Sequence, residues 1–361
     1  MVTAPAPGGR TRGAWSPASL FPVREVVLPW AVSRGYSVLL AFVAATIGGG
    51  GGLQYTGLSK WDGAWYLQIA NGGYGGEPTG AIQTPWPFFP FLPGVLRALD
   101  RLGLPERGSM LILNELIFLV ALAGVWRIAR RHTGDGPARW AVWAIALFPG
   151  AFVFSMLYPS SIFLAASVWA FVLVEERLDV LAAIPVAVTA LVRPNGLVLA
   201  VALVFALRSW RRVVIVCGPA VVAVGAWAAW CWYDVSDPLV FLTAKEQWPE
   251  VTVKGFVTHP WDFDYVVPHL VLAVVAIGAL WLVRRRLPAS WTIFTALYLL
   301  PSLVLGMVGL GRYANECFPP FVAAGVLLER SRRVVQATVV VLALVTQAVC
   351  VWWVIHENYV P

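Results

Sequence analysis

Charge is scarce in this chain. Asp, Glu, Lys and Arg make up 12% of its 361 residues, about half the ~25% share of an ordinary soluble domain, which excludes a water-bathed globular surface. Cysteine is sparse as well: Cys217, Cys231 and Cys350 fall in apolar runs and Cys317 stands alone, so no disulfide framework follows and all four are expected to be free. Histidine adds nothing metal-like, because His259, His269 and His356 are scattered without an i, i+4 partner, and no metal is assigned. The first 30 residues lack the clean apolar core and cleavage site of a leader. They are Pro- and Gly-rich, carry Arg10, Arg12 and Arg24, and are expected to remain as part of a cytoplasmic tail, residues 1–33. A phosphate-cradling loop is missing too. The glycines of Gly48–Leu53 have neither a Lys-Ser/Thr ending nor a strand before them, so no nucleotide cofactor or nucleotide-sugar donor is expected.

What the chain does contain is apolar length. Hydrophobic residues reach 59% and mean hydropathy is +0.73, the composition of a polytopic membrane protein. The net charge of +7 raises nucleic acid as a partner. The basic residues, however, sit in short clusters against apolar runs, as in cytoplasmic loops, and no nucleic acid is expected. Allowing ~20 apolar residues per crossing, spans are expected near 34–53, 109–129, 140–157, 160–174, 213–232, 266–283, 291–308, 318–328 and 334–355. Between 179 and 208 the chain is apolar except for Arg193-Pro194-Asn195-Gly196 at its middle, and both ends carry cytoplasmic-type charge. Each arm would be ~20 Å of helix, short of the ~30 Å hydrocarbon core, which predicts a hairpin with a sunken apex. With its arms the sequence reads as an all-α single transmembrane domain, 34–361, of about eleven crossings. Its amino terminus is expected inside, its carboxyl terminus outside, and its outer loops at 54–108 and 233–265. Most Lys and Arg then fall on the cytoplasmic side and most acids outside.

One outer stretch, Lys60 to Pro93, concentrates polar, aromatic and turn-forming residues. Trp61 and Asp62 open a short helical pattern at the positive end of its dipole, with Trp65, Leu67 and Ile69 expected to face the membrane surface. Glu77 follows a Gly-rich break, and Trp86, Phe88, Phe89 and Phe91 alternate with prolines. Other outer segments supply Arg193, Lys245, Trp248, Arg312, Tyr313 and Glu316. An arginine on loose backbone at the depth of Arg193 fits only where it lines a wet cavity. Inverting glycosyl transfer from a lipid phosphate-sugar needs a carboxylate to take the acceptor proton, cations for the departing phosphate and aromatic surfaces for sugar and lipid. Asp62 is the expected base, Arg193 and Arg312 the phosphate ligands, and Trp61, Glu77, Lys245, Trp248 and Tyr313 the substrate contacts. Structural alternatives stay open: a helix cap for Asp62, a solvated loop acid for Glu77, a carbonyl cap or the partner of an outer acid for Arg193, an interfacial anchor for Arg312 and Tyr313, and an amphipathic surface helix around Lys245 and Trp248.

WDGAWYLQIANGGY, the Glu after it and PFFPFLP resemble the first outer loop of the PIG-V-like family, the mannosyltransferases of GPI-anchor synthesis and their bacterial relatives in the GT-C class. ALVRPNG is similar to that family's TRPTG turn, DPLVFLTAKEQW to its outer-loop block and GRYANECFPPF to its RY-plus-FP segment. The chain departs in a longer PTGAIQTPWP stretch and in Asn195 where the family has Thr. The resemblance implies a GT-C fold and transfer of a hexose, mannose, from a polyprenyl-phosphate sugar without a cofactor. It leaves the acceptor open among a glycolipid, a wall polymer and a protein. The arginine- and alanine-rich style suggests a bacterial plasma membrane. The competing class is a transporter or lipid flippase, which would call for paired broken helices near the midplane.

Overall fold

The computed structural model describes residues 21–47, 57–75, 83–247, 267–305 and 309–356, and every regular element among them is helical. In chain order the α-helices are α1 (Leu28–Ile47), α2 (Asp62–Gly72), α3 (Phe91–Arg101), α4 (Glu106–Thr133), α5 (Asp135–Leu147), α6 (Ser160–Glu175), α7 (Asp179–Val192) and α8 (Leu197–Ala206). They continue as α9 (Trp210–Val235), α10 (Val240–Thr243), α11 (Val267–Val283), α12 (Ala289–Leu305), α13 (Leu310–Glu316), α14 (Phe318–Glu329) and α15 (Arg333–Ile355).

Five helical segments are long and apolar enough to cross a membrane: Val23–Ile47, Glu106–Thr133, Trp210–Val235, Val267–Arg286 and Arg333–Ile355. A sixth appears if α5 and the 3-10 segment Pro149–Ser155, bent by 73°, count as one. The expected eleven crossings are therefore corrected to five or six among the described residues. Hydropathy counts apolar residues and does not see where a helix stops. The apolar runs of α6, α7, α8 and α14 are 16, 14, 10 and 12 residues long, at most ~24 Å at 1.5 Å per residue, against a ~30 Å hydrocarbon core. On the long helices, Val38, Leu39 and Phe42, Val221 and Val222, and Val341 and Leu342 point outward, exposed, as lipid-facing side chains do.

The expected straight span over 140–157 is broken at Phe148. Pro149 has no backbone N–H and drives the residue before it out of the helical region; Phe148 sits at φ −54°, ψ 141°. The break strands carbonyls that α5 would otherwise have bonded. Arg34 takes them over: its Nη1 donates to Ala151 O at 2.8 Å and to Ser155 Oγ at 3.0 Å, and its Nη2 donates to Ala146 O at 3.3 Å. Its guanidinium also lies 4.6 Å from the Phe118 ring centre. Arg34, expected as the flank of the first span, is thus buried within α1, which begins earlier, at Leu28.

The chain order alternates direction around this break. Near the start of α4, Asn114 Nδ2 donates to Met156 O at 2.6 Å and Tyr158 O at 3.1 Å; near its end, Arg131 Nη1 meets Glu176 at 3.0 Å. α4 and α6 therefore run the same way, with α5 returning between them. The Arg193 hairpin forms from α7 and α8. Its feet share one end, where Arg212 at the start of α9 donates to both oxygens of Asp179 at 2.7 and 2.6 Å. At its apex only glycine fits: a Cβ on Gly196 would lie 1.7 Å from Thr189 O.

Candidate functional site

The apex of that hairpin meets two other stretches of chain. α13 opens at Gly309, whose φ of +89° favours glycine and whose N–H donates to His269 Nδ1 at 3.1 Å on the first turn of α11. Arg312 and Glu316 follow four residues apart, on one helical face. Arg312 Nη1 donates to Asp62 Oδ2 at 2.7 Å, tying the first residue of α2 to a helix 250 residues later. Glu316 Oε1 lies 2.8 Å from Arg193 Nη2, which also donates to Ser160 Oγ at 3.2 Å. Tyr298 Oη donates to Glu316 Oε2 at 2.5 Å, the short length of a bond to a charged acceptor.

Between the two pairs stands Tyr313. Its ring centre is 5.1 Å from the Arg193 guanidinium and 5.4 Å from that of Arg312, and Arg312 is also 4.9 Å from the Tyr158 ring. Two cations and two carboxylates so deeply placed are tolerable because each has its opposite charge in contact. The pairs are not equivalent. The side chain of Glu316 is 0% exposed and that of Asp62 21%. Arg193 Nη1 is buried with no hydrogen-bond partner among the described residues.

Asp62 does not cap its helix from outside. Trp61 holds the cap position at φ 58°, a left-handed backbone that a bulky side chain rarely adopts, and the carboxylate is spent on Arg312. The Asp62 N–H donates to Tyr158 Oη at 3.3 Å. Asp62, Arg193, Arg312 and Tyr313 are thus brought together, with half-buried Trp61 adjoining in sequence. Lys245 is exposed on the 3-10 turn Ala244–Gln247, outside this buried group. Glu77 and Trp248 lie outside the described residues. Leu67 and Ile69, expected at the membrane surface, are buried instead. α2 is roofed by the proline-aromatic strip, with Phe88 stacked on Trp65 at 5.9 Å and edge-on to Tyr66 at 5.1 Å. Trp86 is fully buried, 5.3 Å from Tyr74.

Sequence reasoning passed over Tyr66, Tyr158, Ser160 and Tyr298. Tyr66 is one helical turn from Asp62, a spacing that puts it on the same face, and it lies within electrostatic reach of Arg193, Asp62, Arg312 and Tyr313. Burial holds its hydroxyl above the ordinary tyrosine range and therefore protonated. Tyr158 and Ser160 could have been found from the reversal in chain direction that places residues 158–160 beside the Asp62 loop. Among the described residues no three His, Cys, Asp or Glu side chains gather as metal ligands would.

No family model matches the chain. Over 123 residues it is 32% identical to the GPI mannosyltransferase 2 of Drosophila pseudoobscura pseudoobscura, a match covering 31% of this chain and 26% of that protein. The chain therefore matches about a quarter of that relative's length. Two crystal structures of the Archaeoglobus fulgidus oligosaccharyltransferase are similar in outline. The one with Zn and sulfate has a TM-score of 0.47 and 14% identity over 92% of this chain and 53% of that one. The one tethered to an acceptor peptide with the NVT sequon has 0.48 and 11% over 95% and 56%. At these scores neither likeness carries an argument about function.

Proposed function

We propose that this chain is a membrane glycosyltransferase of the GT-C type that moves a hexose, mannose by resemblance, from a polyprenyl-phosphate sugar to an acceptor hydroxyl at the outer face. The single observation carrying this reading is the Asp62–Arg312 pair set beside Arg193 around one tyrosine ring. A carboxylate able to accept a proton stands next to two cations suited to a phosphate. The 32% identity with a mannosyltransferase over 31% of the chain supports the sugar. Asp62 takes the proton from the acceptor hydroxyl, whose oxygen attacks the anomeric carbon from the face opposite the phosphate. Arg193 and Arg312 hold the phosphate oxygens as the bond to the sugar breaks, and Tyr313 keeps both guanidiniums apart and oriented. Tyr66 and Tyr158 wall the site.

The donor class is tested by supplying purified protein in proteoliposomes with labelled mannose, either on polyprenyl phosphate or on a nucleotide, together with bacterial membrane lipids as acceptor. Label is expected to move only from the lipid phosphate. Use of the nucleotide donor, or no transfer from either by protein that is folded, contradicts the reading.

A further inference from the structure

The two arginine–carboxylate pairs differ in a way that a static phosphate clamp does not require. Arg193 faces Glu316, which has no exposed side-chain surface and is also held by Tyr298. That pair is locked. Arg312 faces Asp62, whose side chain is 21% exposed and accepts one hydrogen bond, from Arg312 itself, among the described residues. That pair is open to exchange. At rest the four side chains sum to zero charge, so an arriving phosphodiester brings an uncompensated negative charge to the site.

We infer that Arg312 changes partners during turnover: it rests on Asp62 and passes to the leaving phosphate as Asp62 takes the acceptor's proton, while Arg193 keeps Glu316 throughout. The inference rests on the transfer reading above. In the step itself the acceptor oxygen forms its bond to the anomeric carbon, and the carbon–oxygen bond to phosphate breaks with its electron pair going to the phosphate oxygen. The hydroxyl proton goes to Asp62 Oδ2. Polyprenyl phosphate leaves as a monoester with one more negative charge than the diester carried in phosphate. Asp62 loses its charge at the moment the phosphate gains one, so Arg312 is released where it is needed. The anchored arginine supplies constant attraction, through Nη1, which has no hydrogen-bond partner among the described residues. The exchangeable one supplies attraction that grows toward the transition state, the kind that accelerates the chemical step.

The test measures binding of a polyprenyl monophosphate to the full chain in lipid nanodiscs. The variants are Asp62→Asn, Asp62→Ala, Arg312→Ala and the double variant Asp62→Ala/Arg312→Ala, with the ligand-free melting temperature recorded for each. With its competitor removed, Arg312 is expected to hold the phosphate roughly tenfold more tightly in both Asp62 variants than in the wild type, the scale of one hydrogen bond to a charged group. The double variant is expected to lose that gain and bind like Arg312→Ala. Wild-type binding that weakens in Arg312→Ala but does not tighten in either Asp62 variant overturns the exchange and leaves the transfer reading standing. Absence of saturable binding by the folded wild type overturns both.

Discussion

A guanidinium at the apex of a buried hairpin needs a counter-charge, and Arg193 has Glu316 at 2.8 Å. The structural and phosphate-binding roles of this arginine therefore overlap, and substitutions must separate them. Arg193→Lys keeps the charge beside Glu316 but replaces a planar fork by a point. Its melting temperature is expected to stay within a few degrees of wild type while transfer falls by ~10²-fold, the effect of losing one aligned donor. Arg193→Ala leaves Glu316 buried and unpaired, at a cost of about 3–5 kcal/mol. Adding Glu316→Gln is expected to restore stability but not transfer. Recovery of transfer together with stability would make Arg193 purely structural. At this scale the charged residues that the structure brings together were legible in the sequence: Arg193 interrupts an apolar run where charge is rare, and Asp62 heads a helical pattern in an outer stretch dense in polar and aromatic residues. Tyr66, Tyr158 and Tyr298 were not, since a tyrosine in an apolar run equally well anchors a helix at the membrane interface.

Two elements depend on single residues that hydropathy treats as incidental. The 3-10 segment Pro149–Ser155 keeps its bend because Arg34 bonds the carbonyls of Ala146 and Ala151. Arg34→Leu leaves those acceptors buried and unmet, at about 1–3 kcal/mol each. A clear fall in melting temperature is expected, with transfer lost through the Tyr158 turn that follows the segment; an unchanged melting temperature would refute that role. The hairpin apex depends on Gly196, where a Cβ would meet Thr189 O at 1.7 Å. Gly196→Ala is expected to abolish folded yield or, in whatever protein survives, to displace Arg193 and remove transfer. Near-normal yield and activity would contradict that close approach. The hairpin itself could be read from arm length and flanking charge. The bend at Phe148 could have been read from Pro149, but the chain on either side is apolar enough to pass for one span.

Across the whole molecule, the alternation of α4, α5 and α6 places the Asp62 site at one end of the bundle. His269, which bonds Gly309, opens α11, and the cluster Arg284–Arg286 lies at its other end, ~25 Å away by helical rise. The bias of arginine toward cytoplasmic loops predicts that the Arg284–Arg286 end faces inward and the Asp62 end outward. A cysteine replacing Gly75 is expected to react with an impermeant maleimide in intact cells, and one replacing Arg285 only after permeabilisation. The reverse pattern would turn the site inward. Direction is an expectation from charge that this labelling tests, whereas the number of crossings was not legible in the sequence. Helix length depends on prolines, glycines and tertiary carbonyl partners that an average over apolar residues smooths away.

Whether Asp62 removes the acceptor's proton is read from the turnover of Asp62→Asn with a polyprenyl-phosphate mannose donor, its melting temperature recorded on the same preparation. The amide preserves volume and takes away proton acceptance. A folded variant whose transfer rate is lower by ~10²-fold or more is expected. Retention of more than about a tenth of the wild-type rate, well above the loss expected of a general base, would contradict it.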